Sequence, residues 1–170
     1  MFTISEKGKQ AIKRHEALRL KAYKDTSGVW TIGYGNTFYE DGTKVKQGDV
    51  ITADRANKLF ENIVGKFSAN VLKLISQRLT QNQFDSIVSL AYNIGVNNFK
   101  TSTVLKKINI NPADRSITDS FVVWNKSAGK VSQGLINRRK AEAANYFKAT
   151  AIPIVPLLVF AAIGFFFLTK

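Results

Sequence analysis

Glu16, Asp25 and Thr31 are the residues of this chain whose types and spacing point to chemistry. Eight residues separate the glutamate from the aspartate, and five more precede the threonine. Glu16 falls at the end of an amphipathic pattern, Asp25 in the turn after it, and Thr31 in a first strand, Val29-Trp30-Thr31-Ile32. A glutamate and an aspartate so placed can face each other across a groove in unlike surroundings, one protonated and one ionised. Cleavage of a glycosidic bond needs such a pair, an acid for the leaving oxygen and a carboxylate for the other sugar face. Spacing alone also fits two solvated carboxylates beside Arg14, Arg19 and Lys24. His15 reads as a helix-face residue rather than a catalyst.

Several elements must hold these side chains. Apolar residues recur at near-helical spacing over 5–20, with Ser5 as cap, and predict a helix there. Over 21–51 short β-branched and aromatic runs alternate with Gly28, Gly33, Gly35, Gly42 and Gly48, which predicts a small antiparallel sheet; Asp41-Gly42 is a hairpin signal. A helix is expected from Thr52 through Ile75, and Thr80-Gln-Asn-Gln83 forms a capping box for the next. Further helices are expected near 101–108, 113–123 and 135–148. The layout is α+β and mostly helical, with a small sheet in the first lobe and a helical second lobe.

The 170 residues are 45% apolar and 22% charged, and twelve Phe, five Tyr and two Trp can fill one core. Without cysteine the chain has no disulfides and no thiolate metal sites, and one histidine makes a two-histidine zinc site hard to build. No metal or cofactor is expected. The net charge of +13 points to a polyanionic partner, either nucleic acid, an anionic membrane or an acidic wall polymer. The cations are spread along the chain with no nucleic-acid motif, so nucleic acid is not expected.

The string around the three residues resembles the bacteriophage lysozymes (muramidases, endolysins) of glycoside hydrolase family 24. Their pattern of Glu, eight residues, Asp, five residues, Thr is matched by Glu16, Asp25 and Thr31, with Leu18-Arg19-Leu20, Tyr23, Gly28 and Thr31-Ile32-Gly33-Tyr34-Gly35 around them. Gln83 to Gly95, Phe99-Lys-Thr-Ser102-Thr103, Trp124-Asn125 and Gly134-Leu135-Ile-Asn-Arg138-Arg139-Lys-Ala-Glu142 also resemble family segments. The resemblance covers about residues 5–148 and departs at Asn36, where many members have histidine.

The resemblance implies a two-lobed lysozyme-like fold and cleavage of the β-1,4 bond between N-acetylmuramic acid and N-acetylglucosamine in peptidoglycan. Glu16 would be the general acid, Asp25 the residue acting on water, and Thr31 the holder of that water. Tyr92, Asn93, Ser102 and Thr103 are candidate substrate contacts. Arg138 or Arg139 would pair with Glu16 in a supporting role. Trp124 is expected to hold the helical lobe together, with stacking on sugar the alternative. Lytic transglycosylase chemistry and an inactive structural protein of a virion are the competing functions.

From Ala151 to Leu168 no residue is charged, and only Lys170 carries a charge beyond Lys148. A membrane-spanning helix takes about 20 such residues, so a division into a lysozyme domain, 1–148, and a C-terminal transmembrane anchor, 149–170, is expected. A buried core helix is the alternative reading of the run. The N-terminus has no apolar leader pattern. An anchored enzyme of the viral membrane, meeting capsid or membrane proteins of the virion, or one at the cytoplasmic face of the host inner membrane, is then expected to act on the wall.

Overall fold

In the computed structural model, which describes residues 2–25 and 28–149, the first helix carries the candidate acid at its end. Helix α1 (Glu6–His15) begins at Ser5, whose hydroxyl accepts from Gly8 N, and it stops at Glu16, whose N–H still reaches Ile12 O at 3.0 Å. Ala17 follows at φ 28°, a left-handed conformation that turns the chain out of the helix. The expected helix over 5–20 is therefore too long, because Arg19–Lys24 form strand β1. Strand β2 (Trp30–Gly33) pairs antiparallel with β1, Tyr23 opposite Thr31 and Lys24 opposite Trp30. Thr31 thus lies on the second strand of the pair rather than the first. Bridges Lys21–Val50, Ile32–Asn36 and Phe38–Lys44 complete this lobe, whose small core is Ile32, Val45 and Leu59.

Helix α2 (Ala53–Leu72), capped by Thr52, leads into the second lobe. At about 1.5 Å per residue it is roughly 30 Å long. Leu59 packs into the small core, while Phe60 and Val64 belong to the large one. Helix α3 (Gln81–Ile94) starts with the expected capping box: Gln83 N donates to Thr80 Oγ1 and Thr80 N to Gln83 Oε1. Every residue from Phe84 to Ala91 is buried, as expected of a helix enclosed by α1, α2 and the last helix. Asp85 ties α1 to α3, accepting from Ser5 N, Ser5 Oγ and Gln81 Nε2. A Cβ on Gly8 would lie 2.7 Å from that carboxyl group, so only glycine permits this approach.

Beyond α3 come α4 (Val96–Thr101), α5 (Thr103–Ile110), α6 (Ile117–Val122), a short antiparallel hairpin β3 (Lys126–Ser127) and β4 (Lys130–Val131), and α7 (Gln133–Tyr146). Helix α4 and the hairpin were not expected, and α6 is shorter than the 113–123 pattern because Ala113 and Ser116 are held in turns by Asn111 and Asp114. The expected anchor, 149–170, lies outside the described residues from 150 on. Among the described residues no helix is long and apolar enough to cross a membrane.

Candidate active site

A cleft of about 760 Å³ runs between the two lobes. Glu16 reaches it from the end of α1, Asp25 from the β1–β2 turn, and Thr31 from β2. Tyr92 and Asn93 line it from the last turn of α3. Past Gly35, Tyr92, Asn93 and Ile94 it continues into a second depression of about 610 Å³, bordered by Phe38, Glu40 and Phe67.

Each catalytic candidate is held by hydrogen bonds. Arg138 Nη1 donates to Glu16 Oε1 at 2.6 Å. Asp25 Oδ1 accepts from Val29 N at 2.9 Å, while Asp25 N donates to Val29 O, so the carboxyl group is fixed by the turn that carries it. Thr31 is buried, and its Oγ1 donates to Val29 O at 3.1 Å. With its proton so used, that hydroxyl is left as an acceptor for a donor such as water. Gly35 stands against the acid: at φ 86° it adopts a backbone that glycine favours, and a Cβ there would come 3.2 Å from Glu16 Oε2.

The choice between the two arginines is settled by α7. Arg138 is the partner of Glu16, and its Nε donates to Glu142 Oε1 at 3.1 Å and its Nη2 to Ser89 O at 3.3 Å. Arg139 is fully buried; its Nη2 donates to Glu142 Oε1 at 3.0 Å, and its Nε lies 2.8 Å from Glu142 Oε2. Burial pulls the Arg139 guanidinium down to about 10, against the opposing charge of Glu142. Burial likewise pushes the Glu142 carboxyl up, opposed by Arg139, Arg138 and the Ser89 hydroxyl. His15 is lowered first by burial and then by Arg138, Arg139 and Arg14, and it does not border the cleft.

Two expected substrate contacts are misplaced. Ser102 is buried and its Oγ accepts from Leu105 N as the cap of α5, so its hydroxyl is committed to the helix. Thr103 is the first residue of α5 and is exposed, and neither it nor Ser102 lines the cleft. Trp124 packs against the large core, as expected, and it also lines the cleft. Asn36 is buried: its Nδ2 donates to Tyr92 Oη at 3.4 Å and its Oδ1 accepts from Tyr34 N, while Tyr92 Oη donates to Tyr34 O at 2.8 Å. The position where the chain departs from the family pattern is thus a link between the lobes.

Tyr23, Lys126, Ser127 and Ala128 also line the cleft and are not among the site residues read from the sequence. The last three belong to the β3–β4 hairpin, whose turn puts Ala128 and Gly129 at φ 47° and 77°. An Asn-Gly pair would have signalled that turn; Ala-Gly does not. Among the described residues no group of three His, Asp or Glu side chains is placed to hold a metal ion.

Two lobes joined by a long helix, with a cleft that collects two carboxylates and a threonine, define a class of glycosidase folds. The family model described as phage lysozyme matches residues 13–142. The endolysin of Acyrthosiphon pisum secondary endosymbiont phage 1 is 43% identical over 150 residues, covering 86% of this chain and 99% of the relative. That of Salmonella phage P22 is 39% identical over 144 residues, covering 85% and 97%. The solved endolysin of Escherichia coli O157:H7 phage FAHEc1 superposes with a TM-score of 0.77 at 41% identity, covering 86% of this chain and 94% of that one. The chain belongs to the phage lysozyme family. It is a peptidoglycan-hydrolysing enzyme of the muramidase type.

Proposed function

We propose that Glu16 is the general acid, Asp25 the carboxylate that polarises the attacking water, and Thr31 the acceptor that holds that water. The observation that carries this reading is the cleft shared by all three, with Glu16 gripped by Arg138 on one side and Asp25 and Thr31 anchored to Val29 on the other. Glu16 protonates the glycosidic oxygen as the bond to C1 breaks, and water activated at Asp25 adds to C1 from the opposite face. The product then carries the inverted anomeric configuration, a course that needs carboxyl groups about 6.5–9.5 Å apart. Asn93, exposed in the cleft, and Trp124 are contacts for the sugar chain, and Arg138 orients the acid. Lysis of the host cell from within is the role favoured by the endolysin relatives. Residues 149–170 follow the enzyme as an apolar segment for a membrane, of the virion or of the host, and the chain's charge of +13 favours the acidic wall.

Proton NMR of soluble peptidoglycan digested by the full chain tests the chemistry. New reducing ends with the inverted anomer appearing first are expected. Anhydromuramyl ends in their place overturn the hydrolytic reading in favour of a transglycosylase, and no products at all leave a structural protein. Mass spectrometry of purified virions tests the tail: the chain is found there if the anchor serves the viral membrane, and its absence overturns that reading.

A further inference from the structure

Behind Glu16, away from the cleft, α7 drives two cations into the protein. Arg138 and Arg139 are 4% and 0% exposed, and the acid that meets both is Glu142, itself 5% exposed. We propose that Glu142 is a positioning residue for the reaction: by holding Arg138 and Arg139 it cancels one of the two positive charges behind Glu16, so that Glu16 can carry the proton it must donate. This rests on the assignment of Glu16 as the acid.

The geometry carries the argument. Each nitrogen of the Arg138 guanidinium has its own acceptor: Nη1 takes Glu16 Oε1, Nε takes Glu142 Oε1, and Nη2 takes Ser89 O. The planar group is therefore aimed at Glu16 by two partners that do not touch the cleft. Ser89 Oγ in turn donates to Glu142 Oε1 at 2.6 Å, fixing the carboxylate that does the aiming. When Glu16 is ionised, two carboxylates face two guanidiniums. When Glu16 is protonated, as the acid must be, one positive charge is left over; without Glu142 it would be two. A second uncompensated cation in a buried site favours loss of the Glu16 proton. Glu142 also offsets the burial of both guanidiniums, and the pH limb separates that structural role from positioning, because a loss of stability alone leaves the limb in place.

The other charged and titratable groups nearby do not take over this task. On α1, Arg14 adds positive charge, and His15, lowered by burial and by the three arginines, is uncharged near neutral pH. Lys7 and Asp85 share with Glu142 a small cavity of about 250 Å³, but Asp85 is engaged with Ser5 and Gln81. Tyr23 on β1 and Tyr92 on α3 are both raised, by burial first and then by Glu16, and stay neutral. Asp25 stands across the cleft, where the substrate comes between.

The test is the pH dependence of kcat/KM of the full chain on peptidoglycan, with circular dichroism to confirm folding. In Glu142→Gln the alkaline limb moves to lower pH by about one unit, the shift a newly uncompensated cation imposes on a carboxyl group. Arg139→Met moves it the other way, and the double variant Glu142→Gln/Arg139→Met returns it to the parent position. A uniform loss of activity with the limb in place in Glu142→Gln, or a double variant that stays displaced, overturns the proposal. Should Glu142→Gln fail to fold, Arg139→Met decides alone, and a limb that is unmoved or lowered there overturns it. Glu16→Gln on the parent background separates the two failures: activity retained in that variant sinks the assignment of the acid and the proposal with it, whereas activity lost there with the limb unmoved in Glu142→Gln sinks the role of Glu142 alone.

Discussion

Glu16→Gln lowers kcat for peptidoglycan by about three orders of magnitude while leaving KM near its parent value. Loss of a general acid costs on the order of 10²- to 10⁴-fold, and a glycosidic oxygen is a poor leaving group, which puts the loss well inside that range. Glutamine keeps the size of the side chain, and its amide oxygen can still accept from Arg138 Nη1, as Glu16 Oε1 does at 2.6 Å. The helix end is set by backbone bonds, Glu16 N to Ile12 O, which the substitution leaves alone. What is removed is a transferable proton, so the effect belongs in kcat rather than in binding. Initial rates of reducing-end release, with a thermal melt on the same sample, measure it. A variant with more than a tenth of the parent rate would remove Glu16 from the role of acid.

The largest loss of stability is expected from Phe60→Ala. Phe60 is fully buried in α2, next to Leu59, which packs in the other core. Its ring sits 5.4 Å from that of Tyr34 and 5.9 Å from that of Tyr92, with Lys13 Nζ 4.8 Å from its centroid. These neighbours come from both lobes, so the vacated space cannot close by the movement of one side chain. Truncating a buried Phe costs about 3–5 kcal/mol, or a fall in Tm on the order of 10 °C for a domain this size. Tyr92 loses its packing while its hydroxyl keeps its bonds to Tyr34 and Asn36, so activity at low temperature falls less than stability. Thermal unfolding of both proteins measures the difference, and a loss below about 1 kcal/mol would show that α2 repacks around the gap.

The catalytic candidates were legible because they are local. Glu16, Asp25 and Thr31 belong to one continuous stretch, and a helix end, a turn and a short strand suffice to gather them at one cleft. The capping box at Thr80 was legible for the same reason, since both of its bonds lie within four residues. What stayed hidden depends on partners far along the chain or on turns without their usual residues. Ala17 ends α1 in a conformation that glycine or asparagine normally signals, so the apolar pattern ran on through Leu18 and Leu20 into a strand. Ala128 masks the β3–β4 turn in the same way. Ser102 and Thr103 read as cleft residues, yet Ser-Thr is as much a helix start as a sugar contact, and the cap of α5 uses the serine. Arg138 and Arg139 lie side by side on α7, and the separation of 122 positions between Glu16 and its arginine leaves no mark in either local pattern.

Gly35, Tyr92, Asn93 and Ile94 border both the cleft and the depression beyond it. The carboxylates therefore stand part-way along a trough and not at a blind end, and a strand of wall polymer can lie through it with its length continuing on both sides. Cuts then fall in the middle of strands. A covalent net under internal pressure bears load through unbroken strands, and one internal cut takes a whole strand out of tension. Mechanical failure of such a net comes early, long before much of its sugar has been set free.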